Sequence, residues 1–300
     1  GDWMSAPSSS PQGAEVSQPS PETGSLYVVA TPIGNLGDVT VRAIETLKSV
    51  SVVVAEDTRH SRTLLTHLGI TTPMTAYHEH NEARETPRLV RRMLGGESIA
   101  LISDAGTPLL SDPGARLVAA ALEADVRVIP IPGASALLSA LVASGISADQ
   151  FTFLGFLPRK GGERETMLRT IARSPFTVVL YESPQRVSAT LADLIEAGCG
   201  DRAMAIAREL TKRFEEVRRG TVASLRDGTI EGLRGEIVLV IAGAVERAPS
   251  EAEARDIVSR MRSEGSSSRD IIERLTAELG VPRNVAYKLA HSPPDSTPAG

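Results

Sequence analysis

The sequence predicts an α/β protein of two α/β units, the first around a mainly parallel sheet and the second around a mixed sheet, followed by a small helical unit. Three observations carry this prediction. Short β-rich apolar runs alternate with amphipathic helical stretches from Leu26 onward. The first runs are almost continuously apolar, the pattern of strands covered on both faces. In the second half, the strand pair around Arg218–Leu225 has no long helix beside it, which breaks strict β-α alternation.

In chain order, the first unit offers strands in LYVVAT (from Leu26), SVVVAED (from Ser51), ESIALISDAG (from Glu97) and VRVIPIPG (from Val126). Helical patterns lie at Val39–Leu47, Glu82–Leu94 and Ala115–Glu123. Asp112-Pro113 reads as a helix start, an acceptor followed by proline in the first turn. After a polar joint near Ser147–Gln150, strands are expected in FTFLGF (from Phe151), TVVLYES (from Thr177), RAMAIAREL (from Arg202), GTVASL (from Gly220) and GEIVLVIAG (from Gly235). Glu251–Arg262, Ser267–Leu279 and Pro282–Ala290 read as three helices. Ser267 and Asp270 give a capping signal, Gly280 a stop, and Pro282 the next first turn. The expected organisation is therefore a tail over 1–25, α/β units over 26–147 and 148–245, a helical unit over 250–290 that reads either as helix-turn-helix-like or as a small helical cap on the second unit, and a second tail over 291–300. The Ser-, Pro- and Gly-rich first 25 residues hold too little apolar surface to offset ordering entropy.

Composition narrows the function. With 300 residues and 41% hydrophobic side chains, a sizeable core can be buried. No run approaches the roughly 18 apolar residues of a membrane span. The single cysteine, Cys199, excludes an internal disulfide and a multi-cysteine metal site, and the simplest reading is a reducing, cytoplasmic compartment. A net charge of −5 argues against nonspecific coating of nucleic acid, and 3% aromatics against a broad base-stacking surface. The first strand is not followed by G-x-G-x-x-G, and Walker A, G-x-S-x-G and H-E-x-x-H patterns are absent. His78-Glu79-His80 has too few partners for a metal, so none is expected.

The informative residues sit at predicted strand ends. TPIGNL (Thr31–Leu36), SDAGTPLLSDPG (Ser103–Gly114) and PGASA (Pro132–Ala136) each follow a strand. In open parallel sheets ligands bind outside the carboxyl ends of strands, so three Gly/Pro-rich loops there point to one pocket. The second unit adds TVVLYESPQR and IARELTKRFEE, which set Glu182 near Arg186, and Arg208 and Glu209 near Lys212. Ordinary ion pairing explains each of these equally well.

These segments, with AEDTRHS, HEHNE, GFLPRK and GEIVLV in the same order, resemble the ribosomal RNA small subunit methyltransferase I family of the tetrapyrrole (corrin/porphyrin) methylase superfamily. The resemblance spans about Leu26–Gly243. Porphyrin methylases carry Gly-Asp-Pro where this chain has Gly106-Thr107-Pro108. The resemblance implies a tetrapyrrole methylase-like fold, a homodimer, and S-adenosyl-L-methionine bound between the two α/β units. It further implies methyl transfer to the ribose 2′-hydroxyl of a cytidine in the decoding region of 16S rRNA, within the 30S subunit. Carried over by position, the cofactor residues are Pro32, Ser103, Asp104, Ala105, Gly106, Thr107, Pro108, Leu109, Leu110, Ser135, Ala136, Tyr181, Ala207, Gly235 and Glu236.

A ribose hydroxyl is a weak nucleophile, so a base or a polarising cation is expected. Glu182 or Glu209 is the candidate base, with Arg208 or Lys212 near the phosphate or the developing alkoxide. Asp57, Arg59 and His78 form a second tier. Basic clusters at Arg84/Arg88/Arg91/Arg92, Arg159/Lys160/Arg164 and Lys212/Arg213/Arg218/Arg219 could meet RNA, with the 159–164 loop and the helical tail as the expected grips. The competing readings are a small-molecule tetrapyrrole-type methylase and a noncatalytic RNA-binding assembly module.

Overall fold

The computed structural model describes residues 23–110, 113–228, 235–244 and 249–292. The first five strands are β1 (Ser25–Val29), β2 (Val52–Ala55), β3 (Met74–Ala76), β4 (Ile99–Leu101) and β5 (Arg127–Ile131). They form one all-parallel sheet in the order β3-β2-β4-β1-β5. Alternate residues of each strand enter opposite cores. Val52 and Val54 pack with Leu89, Met93 and Leu117, whereas Val53 and Ala55 pack with Leu47 and Leu65. This two-sided burial is why the strands read as unbroken apolar runs. The helices α1 (Val41–Ser49), α2 (Thr58–His67), α3 (Glu82–Leu94) and α4 (Ala115–Glu123) supply the covering layers, and α5 (Ala136–Ala143) follows β5.

The second sheet contains β6 (Phe151–Phe156), β7 (Thr177–Glu182), β8 (Ala203–Arg208), β9 (Glu216–Thr221) and β10 (Ile237–Ile241), in the order β6-β7-β10-β8-β9. Only β6 and β7 are parallel, so the sheet is mixed as expected. On one face, Val178 and Leu180 meet Leu168 and Ile171 of α6 (Gly162–Arg173) and Leu191 of α7 (Val187–Leu194). On the other face, Val179, Val238 and Val240 meet Leu137 and Leu141 of α5. Helix α5 thus follows the first sheet in sequence but packs on the second, joining the two halves beside the loop that precedes it.

The last described segment has its own core, built by Val258, Ile271, Leu275, Ala286 and Leu289. It comprises α9 (Glu251–Ser263), α10 (Ser268–Glu273, continuing through a wider turn to Glu278) and α11 (Arg283–His291); α8 is the short helix Val222–Asp227. Capping boxes Ser250/Glu253 and Ser267/Asp270 begin α9 and α10.

Several expectations change. Gly24 and Ser25 belong to the fold, because Gly24 N–H bonds Met93 O and Ser25 opens β1; residues 1–22 lie outside the described set. Likewise His291 ends α11, and 293–300 lie outside. The predicted strand Gly220–Leu225 is instead the end of β9 and α8. Thr221 and Ser224 form a reciprocal capping box there, which turns an alternating pattern into a helix. Helix α4 begins at Ala115 with Gly114 as N-cap, two residues after Pro113; Asp112 is outside the described residues. Pro282 is the N-cap of α11 rather than its first turn. Strand β3 and helices α2, α6 and α7 had no place in the expected element order; β3 has only three residues, too few for a periodic signal.

Candidate functional site

Strands β1 and β4 are neighbours, but their connections leave in opposite directions, β1 toward β2 and β4 toward β5. That arrangement opens a crevice at their carboxyl ends, the usual ligand position in a sheet of this kind. Two loops are sewn together across it. Thr31 and Gly106 exchange both backbone hydrogen bonds at 3.0 Å. The Thr107 hydroxyl donates to Ala134 O at 3.0 Å, tying in the loop after β5. Ser103 Oγ donates to the carbonyls of Ala105 and Gly106 at 3.1 and 3.3 Å and so shapes the turn from within. Gly106 has φ +78°, and a Cβ there would lie 3.1 Å from Ile33 Cγ2. The loop therefore needs glycine both for its backbone and for close approach.

The crevice is a cleft of about 280 Å³. The first half lines it with Ile33, Asp104–Thr107, Leu110, Ser135 and Ala136. The second half contributes Phe156, Tyr181, Glu182, Glu236, Ile237 and Val238. Antiparallel pairing sets Ile237 opposite Glu182 and Val238 opposite Tyr181, so the end of β7 and the start of β10 form one wall. A register shift between Phe153 and Gly155 lets both Phe153 and Phe156 meet the Tyr181 ring edge-on, at 4.9 and 5.7 Å. The cleft thus combines three carboxylates, a backbone loop and an aromatic patch.

Glu182 is 6% exposed and firmly held. One oxygen accepts Ser183 N–H at 2.8 Å and the other accepts the Thr190 hydroxyl at 2.7 Å. Thr190 in turn accepts from Arg164 Nη2 at 3.1 Å; Arg164 also donates to Asp193 at 2.9 Å and Pro158 O at 2.9 Å. The buried charges are satisfied in one chain of bonds that ends at the cleft wall. Arg164 is therefore a buried structural cation, which removes it from the expected RNA-gripping loop; Arg159 and Lys160 remain exposed.

The other three catalytic candidates stand back from the cleft. Arg208 pairs with Glu216 across β8 and β9, and Arg218 bonds the second Glu216 oxygen at 2.8 Å. The two guanidiniums hold the Glu216 carboxyl down to about 2, Arg218 contributing most. Glu209 lies 3.3 Å from Lys212 Nζ and packs over Gly235, where any Cβ would meet the Glu209 carboxylate. Asn35 Nδ2 donates to Thr211 O at 3.3 Å, so the 209–212 loop rests on the loop after β1. Glu209 and Thr211 both have positive φ, 49° and 71°, uncommon for any L-residue and strained for the β-branched Thr211.

Among the proposed cofactor residues, Pro32, Ser103, Pro108, Leu109, Ala207 and Gly235 are not on the cleft wall. Ser103 and Gly235 act on the shape of neighbouring loops, as described. Ala207 is fully buried beneath α5, and Leu109 packs against the first core. Ile33, Phe156, Ile237 and Val238 also line the cleft and are not among the expected residues, since an apolar residue at a strand end carries no polar signature. Beside Asp104, Asp57 caps α2 by accepting from the backbones of Arg59 and His60, and His60 Nε2 lies 3.0 Å from Asp104 O. Burial and the nearby Asp104 raise the Glu56 carboxyl. His78 N–H is taken by Asn81. Among the described residues no group of three or more His, Cys, Asp or Glu could hold a metal, and no helix is long and apolar enough to cross a membrane.

Residues 25–226 match the family model for tetrapyrrole (corrin/porphyrin) methylases. Ribosomal RNA small subunit methyltransferase I of Synechocystis sp. is 46% identical over 271 residues, 89% of this chain and 97% of that protein. The chain belongs to the ribosomal RNA small subunit methyltransferase I family of tetrapyrrole methylases. The Mesorhizobium japonicum member is 48% identical, over 81% of this chain and 84% of its own length. Among solved structures, the methyltransferase CobJ superposes with a TM-score of 0.57 at 21% identity, over 76% of this chain and 98% of that one. Uroporphyrin-III C-methyl transferase of Thermus thermophilus, solved with S-adenyl homocysteine, gives 0.54 at 21% identity, over 72% and 97%. Both likenesses concern the fold of the two sheets.

Proposed function

We propose that the chain is an S-adenosyl-L-methionine-dependent methyltransferase acting on the ribose 2′-hydroxyl of a cytidine in the decoding region of 16S rRNA, with the 30S subunit as substrate. The observation that supports this most is the cleft at the β1–β4 switch point, walled by both sheets and carrying Asp104, Glu182 and Glu236 beside an aromatic patch. Its volume is at the lower edge of the range for small-molecule sites, about 300–1,000 Å³. Its chemistry suits a cationic adenosyl compound: carboxylates for amino, hydroxyl and sulfonium groups, and Ile33, Leu110, Phe156 and Tyr181 for a purine. The names of the relatives favour small-subunit rRNA as acceptor, and the Thermus neighbour holds S-adenyl homocysteine.

The cofactor supplies an electrophilic methyl on a good leaving group. The chain's share is alignment and one proton transfer. Asp104–Thr107 and Ser135–Ala136 hold the donor from the first sheet, and Tyr181, Glu236 and Val238 from the second. Fixing donor and acceptor in line contributes up to about 7–11 kcal/mol in favourable systems. Glu182 is the preferred base, because it lines the cleft and Thr190 and Ser183 fix its carboxylate; a positioned base adds roughly 10²–10⁴-fold. Glu209 is bound to Lys212 away from the wall, and Arg208 is committed to Glu216, so we assign these to shaping the 209–212 loop. We further propose a cytoplasmic homodimer of chains built from the units set out above. Helix α5 is apolar nearly all round, and its outward residues Leu138 and Val142 are 49% and 76% exposed, which favours a covering partner.

The test is transfer of labelled methyl from S-adenosyl-L-methionine to unmodified 30S subunits, free 16S rRNA and a porphyrinogen in parallel, followed by nucleoside analysis. Label in 2′-O-methylcytidine from 30S particles is the expected result. Label in the porphyrinogen with none in RNA would overturn the reading.

A further inference from the structure

Helix α11 turns Arg283, Asn284, Tyr287, Lys288 and His291 outward, while Ala286, Leu289 and Ala290 are buried. The exposed positions follow the spacing i, i+1, i+4, i+5, i+8, one face of a helix. The helix contains no acidic residue, although the whole chain carries −5. No ion pair of Arg283 or Lys288 is found among the described residues. Tyr287 is 60% exposed, and its ring lies over that of His291, with centroids 4.2 Å apart and planes 33° from parallel. The His291 ring is anchored by Nδ1, 2.9 Å from Tyr287 O. The helix itself is fixed from behind, where Arg262 of α9 donates to Ala290 O and Ser292 O at 2.9 and 2.8 Å. A helix anchored from behind thus presents two paired rings on the same face as two cations.

The outer surface of this ring pair faces solvent and is open to a flat partner. Cations on the same face select a partner whose flat groups alternate with negative charge. Single-stranded RNA has that chemistry, with unstacked bases for rings and phosphates for Lys and Arg. An acidic peptide would satisfy the cations but not the ring pair.

We propose that this face of α11 docks an unpaired segment of RNA, one base stacking on the Tyr287–His291 pair while Arg283 and Lys288 take the flanking phosphates. Asn284 is placed to bond a base edge or ribose. The proposal rests on the rRNA reading for its biological substrate, and its role is to hold the substrate outside the methyl-transfer cleft.

The test uses the full chain with Tyr287→Ala, Tyr287→Phe and the pair Arg283→Glu with Lys288→Glu. Binding of a fluorescein-labelled single-stranded oligoribonucleotide is measured across salt concentration, alongside kcat and KM on 30S subunits and cofactor affinity by calorimetry. The ring deletion should weaken RNA binding about tenfold, within the range for one lost base stack, and phenylalanine should retain most of it. The charge reversal should weaken it further and lower the salt slope by one to two. In both, KM for 30S should rise while kcat stays within about twofold and cofactor affinity is unchanged. RNA affinity, salt slope and KM all equal to those of the parent chain would overturn the proposal, as would a charge-reversal effect with none from Tyr287→Ala. If the parent chain binds RNA through this face yet methylates none, the docking face stands and the substrate reading falls. If it methylates 30S and every α11 variant does so equally, the reverse holds.

Discussion

Thr190→Val removes one hydroxyl and keeps the side chain's shape, at a position with no solvent exposure. Two bonds disappear, Thr190 Oγ1 to Glu182 Oε2 at 2.7 Å and Arg164 Nη2 to Thr190 Oγ1 at 3.1 Å. Each involves a buried charged group, and such bonds are worth about 1.5–3 kcal/mol. The losses are partly offset. Arg164 keeps Asp193 and Pro158 O, and Glu182 keeps Ser183 N–H and can meet water in the cleft. The expected destabilisation is therefore about 2–4 kcal/mol, seen as a fall in Tm of roughly 5–10 °C. Because Thr190 fixes the direction of the Glu182 carboxylate, kcat for methyl transfer should fall by about tenfold or more, with little change in KM for 30S subunits. Thr190→Ser, which restores the hydroxyl, should recover both. Thermal unfolding and steady-state transfer measure the two effects. A valine variant with the parent's Tm and kcat would refute the claim that this chain of bonds supports the cleft wall. A lowered Tm with unchanged kcat would refute the role given to Glu182.

Gly106→Ala should weaken S-adenosyl-L-methionine binding by calorimetry about tenfold, because a left-handed φ of +78° costs an L-residue about 1–2 kcal/mol and the new Cβ crowds Ile33. Glu216 sits below its ordinary value, at about 2, so its ion pairs stabilise the fold above pH 4.5 and are lost progressively as pH falls toward 2. Glu216→Gln should flatten the acid limb of the stability curve in that window while leaving its pH dependence above neutrality unchanged, measured by denaturant unfolding across pH. Cys199 is fully buried, and burial pushes its thiol up, so a thiol reagent at neutral pH should label it only after unfolding. Rapid labelling of the folded chain would contradict that packing.

Much of the architecture was legible because local pattern and tertiary environment agree. Strands β1, β2 and β4 lie inside the sheet with both faces covered and therefore read as nearly continuous apolar runs, whereas the edge strand β5 keeps Arg127 and Pro130 exposed and was still marked by its valine and isoleucines. Helices α3 and α4 separate apolar and charged faces clearly enough for their spans to be read to the residue. The dense Gly, Pro and Asp content of Ser103–Gly114 marked the main loop of the cleft, and the cap pair Ser267/Asp270 marked the start of α10. Residues 220–225 misled because an alternating hexapeptide suits a strand or a short capped helix, and the Thr221–Ser224 exchange decides between them.

That the strand ends at 31–36, 103–114 and 132–136 would gather follows from residue pattern alone, since a parallel sheet places all its carboxyl ends on one edge. Which charged residues face the cleft depends instead on contacts made in three dimensions. Glu182 and Arg208 look equivalent along the chain, both at the ends of strands and both beside opposite charges. Both pair with Ile237 of β10, so that register does not separate them; Ser183 and Thr190 hold Glu182 at the wall, whereas the β8–β9 pair places Glu216 where it captures Arg208. The same holds for Arg164, which reads as part of a basic loop yet is drawn inward by Thr190 and Asp193. Pairing of charges depends on positions brought together from distant parts of the chain, and the one-dimensional order of residues does not contain that distance.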